Sequence, residues 1–156
     1  MTKSRTKTDL KKQLHGFLAK YDPEIGRIAR KCREKLRKRL VGAIELVYDN
    51  YNALVFGFGP TDRASDAIFS IALYPRYVSM FFLQGAGLPD PTKCLEGSGN
   101  VVRHIRLGSA EMLDEPEIVS LMNTAVHRAS VPLDPKQPGQ FIVKSISAKQ
   151  PPRRPQ

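Results

Sequence analysis

An α+β domain is the fold class this sequence predicts, and three observations predict it. Apolar residues recur every three or four positions in residues 8–41 and again in 114–130, the period of a helix with one buried stripe. Between them, residues 44–83 switch to a period of two, broken into short pieces by turn residues. Two helices, about five strands and a C-terminal helix have a simplest layering: one antiparallel sheet with helices on one face.

Residues 1–7 (MTKSRTK) are polar and carry no evident cap, so disorder is expected there. From Thr8 or Asp9, Leu10, Leu14, Phe17, Leu18 and Tyr21 form the stripe of a first helix. Asp22-Pro23-Glu24 then supplies a capping side chain, a proline whose missing N–H costs nothing in a first turn, and an acid suited to the positive helix end. In the second helix Ile25, Ile28, Ala29, Cys32, Leu36 and Leu40 fall within about 120° at 100° per residue. Arg27, Arg30, Lys31, Arg33, Lys35, Arg37 and Lys38 cover the remaining arc, and the helix is expected to end near Val41-Gly42.

Ile44, Leu46 and Tyr48 alternate with Glu45, Val47 and Asp49, and Leu54, Phe56 and Phe58 alternate with smaller residues. Two strands joined at Asp49-Asn50 fit this pattern, because Asx side chains bond nearby backbone. After a polar loop (59–66), AIFSIALY and YVSMFFL read as a hairpin turning at Pro75-Arg76, apolar on both faces and therefore central in the sheet. Residues 85–100 form a long Gly/Pro-rich loop, a surface feature or short helical turn, and 101–107 is the last good strand. Asp114 through Glu117 has the spacing of a capping box for a third helix ending near Ser130. The expected division is a single domain over 8–133 and a basic, Pro-rich tail over 134–156, in which 141–147 docks as an edge segment.

Composition narrows the function classes. A chain of 156 residues with 41% hydrophobic content builds one ordinary core. No apolar run approaches the roughly 20 residues that span a bilayer, and the basic N-terminus lacks an apolar signal region. A soluble protein with no membrane partner is expected. Cys32 and Cys94 form no metal or redox motif, which fits a reduced, cytoplasmic setting. Net charge is +10, distributed as +10 over residues 1–41, −4 over 42–133 and +4 over 134–156, so any charge-driven function must use the ends of the chain.

FLAKYDPEI, ELVYDNYNALVFGFGPT, SDAIFSIALYPRYVSMFFLQGAGLPDP, GSGNVVRHIRL and SISAKQPPRRP together resemble the YdhG-like family of bacterial domains of unknown function, over roughly residues 17 to 155. The resemblance implies a small α+β fold and a bacterial, cytoplasmic origin. Some relatives carry the label of frataxin-like iron chaperone, which implies an acidic ridge on the first helix and adjoining strand. The helices of this chain are instead among its most basic parts, and lysines at that density repel hard cations.

Several residues are candidates for a site. Tyr48, Asp49, Asn50, Tyr51 and Asn52 gather two hydroxyls and three polar side chains at one turn, which suits a small polar ligand if Tyr74, Tyr77 and Phe82 lie near; the alternative is an Asx turn with tyrosines at a sheet rim. His104 is a potential base or pH switch with no visible nucleophile, or a half-buried strand residue. Arg30, Lys31, Arg37 and Lys38 present a polyanion-binding face or a merely solvated one. Cys94 beside Lys93, and the glycines of 85–87 and 97–99, lack the context of a reactive thiol or a phosphate loop. Neither a metal site nor a cofactor is expected, and enzymatic activity has no visible signature. The leading expectation is non-enzymatic binding of a small molecule or a protein; the alternatives are a polyanion or nucleic-acid accessory role and, from the family label, iron delivery.

Overall fold

The computed structural model describes residues 6–155. Residues 1–5, most of the segment expected to be disordered, lie outside that range, but Thr6 and Lys7 correct the expectation. Thr6 caps α1 (Lys7–Ala19): its hydroxyl accepts the Asp9 N–H at 3.1 Å, and the Asp9 carboxylate accepts the Thr6 N–H at 3.3 Å. α2 (Pro23–Arg39) opens on Pro23 as its sequence requires. The chain then turns through Gly42 at φ +85°, where an added Cβ would lie 2.0 Å from the carbonyl oxygen of Asp134.

Five strands follow the expected order: β1 (Ile44–Asp49), β2 (Leu54–Gly59), β3 (Phe69–Leu73), β4 (Val78–Phe82) and β5 (Arg103–Leu107). After them come α3 (Pro116–His127) and β6 (Gln140–Ile146). The sheet runs β5-β4-β3-β2-β1-β6, antiparallel throughout except that β6 lies parallel to β1. The long return through α3 brings the chain back to the start of β1, which makes the last pairing parallel. The expected edge docking of 141–147 within the tail is borne out as a sixth strand, and the packed body continues past residue 133.

Register fixes the two faces. Val47, Phe56, Ile71, Met80 and Ile105 form one cross-strand row that packs, with its neighbours two residues away, under Leu18, Ile25, Ala29, Cys32, Leu36, Ile118 and Met122 of the three helices. Leu46, Gly57, Ser70, Phe81 and His104 form a row on the opposite face. Every residue of β3 is buried, in keeping with its central place.

Two local readings change. Asp114 does not cap α3, whose N-cap is Glu115 without a side-chain bond; Asp114 pairs with Lys35 and, at 3.6 Å, with Arg39 of α2. A short 3₁₀ turn over Ala110–Asp114 shifts the helix start by one residue and frees that carboxylate. Arg33 is not on the solvated arc of α2. It is buried against Glu45 of β1, as described next.

Candidate functional site

β1 directs Glu45, Val47 and Asp49 toward the helix layer, so two carboxylates enter the core side of the sheet. A buried charge is tolerable only when paired. Asp49, 1% exposed, accepts from Lys20 Nζ at 2.8 Å and from Arg153 of the C-terminal segment at 3.0 Å. Arg153 also donates to the carbonyls of Asn50 and Tyr51, and its guanidinium lies 5.7 Å from the Tyr21 ring. Gln150 donates to the Asp49 carbonyl at 3.3 Å, and the Ser147 N–H to the same oxygen at 2.8 Å. The 49–52 turn nominated as a ligand site is therefore held from within by the end of the chain. Tyr21 completes the lock, donating its hydroxyl to the Leu73 carbonyl at 3.1 Å and accepting the Leu54 N–H at 3.2 Å. Burial pushes its phenol up to about 12.

The remaining nominated aromatics lie elsewhere. Tyr51 is exposed at the turn. Tyr48 sits on the sheet face away from the helices; its hydroxyl is buried with no hydrogen-bond partner among the described residues, and burial raises its pKa. Tyr74 stacks on Tyr77 at 4.7 Å, with its own pKa raised by burial and then by Tyr77, and Arg106 lies 3.9 Å over the Tyr77 ring. His104 packs on Phe81 at 5.5 Å, with Nε2 3.6 Å from the Glu96 carboxylate. Tyr48 and His104 share a face but stand on β1 and β5, roughly 19 Å apart at the usual strand spacing. No nucleophile and base meet among these residues.

The four basic candidates separate as well. Arg30 contacts His15 at 3.1 Å on the α1 side, while Lys31 and Lys38 point to solvent. Arg30 lines, with Arg27 and Arg154, an open hollow of about 390 Å³ beside His15 and Tyr21, and Arg37 borders a groove with an apolar floor.

That groove lies between α1, α2 and β6. The Thr6 cap starts α1 one residue earlier than expected, which places Lys7 and Lys11 one turn apart along its rim, beside Leu10 and Leu14. Arg37 forms the opposite rim, and Phe141 of β6 the floor, around a volume of about 370 Å³. Arg33 lies beneath, donating from Nε and Nη2 to the two Glu45 oxygens at 2.5 and 2.6 Å, between the Phe56 and Phe141 rings at 5.3 and 5.5 Å. Glu45 neutralises Arg33, which leaves Lys7, Lys11 and Arg37 as the exposed charges of the rim. The groove continues along residues 141–146 past Leu10 and Gln13 as a second hollow of about 670 Å³. None of the described lining residues of either hollow is acidic. Sequence reading passed over this site; the Thr6-x-x-Asp9 spacing was the signal that would have carried α1 back to Lys7.

Among the described residues no helix is long and apolar enough to cross a membrane, and no three His, Cys, Asp or Glu side chains converge as metal ligands. Comparison with protein-family models, curated proteins and solved structures finds no match to the chain.

Proposed function

We propose that this chain is a YdhG-like domain of the bacterial cytoplasm that acts without catalysis, binding an anionic partner in the groove between α1, α2 and β6. The observation that carries the reading is the lining itself: Lys7, Lys11 and Arg37 surround an apolar floor with no described carboxylate among them. Three cations on a concave wall focus a positive potential that steers an anion inward, and the floor adds apolar contact once water leaves. Fluorescence anisotropy with labelled polyglutamate and with heparin tests it. Binding is expected to weaken steeply between low and physiological salt, and to fall at least tenfold when Lys7, Lys11 and Arg37 are changed together to Glu. Unchanged binding by that variant would remove the groove from consideration.

A small molecule on the opposite sheet face is the second reading, favoured by the buried Tyr48 hydroxyl, which has no partner among the described residues. Metabolites that raise the melting temperature of the wild type but not of Tyr48→Phe would support it; equal shifts in both would remove Tyr48 from the contact.

A further inference from the structure

We infer that the partner is an acidic polypeptide segment that binds in extended form as a seventh strand on the outer edge of β6. This rests on the anionic-partner reading above and specifies its occupant. β6 ends the sheet, with β1 on one side and no further strand among the described residues on the other. Alternate N–H and C=O groups of β6 therefore point outward on either side of the bulge at Lys144, a template for main-chain pairing that is regular over 140–143. The groove of about 670 Å³ runs along this edge over residues 141–146, with α1 as its far bank. Six extended residues span about 20 Å, a length a short peptide matches.

Charge and surface select the occupant. At one end of the edge the rim of Lys7, Lys11 and Arg37 surrounds Phe141; at the other, Ile146 is 53% exposed. A segment combining acids with apolar residues satisfies both ends. A second copy of this chain is a weaker fit, because each copy carries a net charge of +10 and like charge opposes association. Nucleic acid is the weaker fit: base stacking needs open aromatic faces, and the Phe141 ring at the floor is already faced by Arg33. Nor does a polyphosphate chain use the outward backbone groups. Lys144 is the residue bulged out of register with β1, and its ammonium is held by the Asp62 carbonyl at 3.0 Å. The bulge limits flat, indiscriminate pairing along the edge and leaves residues 140–143 as the regular stretch.

The probe is an acetylated peptide of about eight residues alternating glutamate and valine, titrated into the full chain and followed by amide hydrogen exchange and fluorescence anisotropy. Its partners are the same peptide N-methylated at alternate backbone amides, a lysine-for-glutamate version, heparin and a thymidine oligonucleotide. The inference predicts that the acidic peptide binds, that β6 amides gain protection, and that N-methylation or Lys7→Glu with Lys11→Glu weakens binding at least tenfold. Both lysines are exposed, so the variant is expected to fold, as circular dichroism checks. Equal binding of the N-methylated peptide would overturn strand addition while leaving the anionic groove standing. So would heparin or oligonucleotide binding at the rim without peptide binding. Should none of the anions bind, the inference and the proposed function fall together.

Discussion

Changing Asp49 to Asn breaks the clamp that ties the C-terminal segment to the turn between β1 and β2, and its cost follows from who is stranded. The Lys20 side chain is 41% exposed and returns to water when its partner is lost, whereas that of Arg153 is 4% exposed and does not. Leaving one member of a buried pair without its counter-charge costs about 3–5 kcal/mol. Arg153→Met leaves Asp49 with Lys20 still at 2.8 Å, so the residual charge is half-compensated, but the bonds to the Asn50 and Tyr51 carbonyls are lost at about 1 kcal/mol each. About 2–4 kcal/mol is expected for that variant. In a domain of this size each kcal/mol moves Tm by about 2–4 °C, so Asp49→Asn should melt roughly 10 °C below the wild type. Urea denaturation followed by circular dichroism gives the free energies, and the double variant should recover a coupling of about 2 kcal/mol or more. Losses below about 1 kcal/mol in both single variants would refute the clamp. An Asp49→Asn protein of unchanged stability that lost ligand binding would return the turn to a binding role.

The Arg33–Glu45 pair obeys the same logic more deeply in the core: Glu45→Gln should cost about 3–5 kcal/mol in urea melts, and Arg33→Met with Glu45→Leu should regain most of it. Alkaline pH should destabilise the fold, because burial raises the Tyr21 phenol from 10.0 and the Cys32 thiol from 9.0, each to about 12. Their neutral forms favour the folded state fully below pH 9, and that support is lost as pH climbs from 9 to 12, with about 3 kcal/mol from Tyr21 alone; Cys32→Ala should flatten the fall in Tm. Gly42→Ala should cost about 1–3 kcal/mol in backbone strain alone and loosen β6, since the new Cβ meets the Asp134 carbonyl at 2.0 Å; unchanged β6 amide protection would contradict this.

Much of the fold is written in local periodicity. The stripe Ile25, Ala29, Cys32, Leu36 and Leu40 is buried as its spacing requires, and the Pro75-Arg76 break between two apolar runs gives the β3–β4 hairpin. Asp114 shows where spacing misleads: the right interval for a cap says nothing of whether a lysine from another helix will take the carboxylate. The candidate site was legible only in pieces. Arg37 was visible as a basic residue, but its grouping with Lys7 and Phe141 depends on a strand more than a hundred positions away.

The sequence by itself determined which segments are helices and strands and which stripe each buries, because the pitch of the backbone converts spacing into a face. Only the tertiary structure decided that the C-terminal edge segment pairs in parallel with β1, that Arg33 and Arg153 are buried counter-charges, and that the nominated turn is a lock. Charge pairing and edge docking act between atoms close in space and far apart in the chain, and nothing in local spacing encodes which distant partner will arrive.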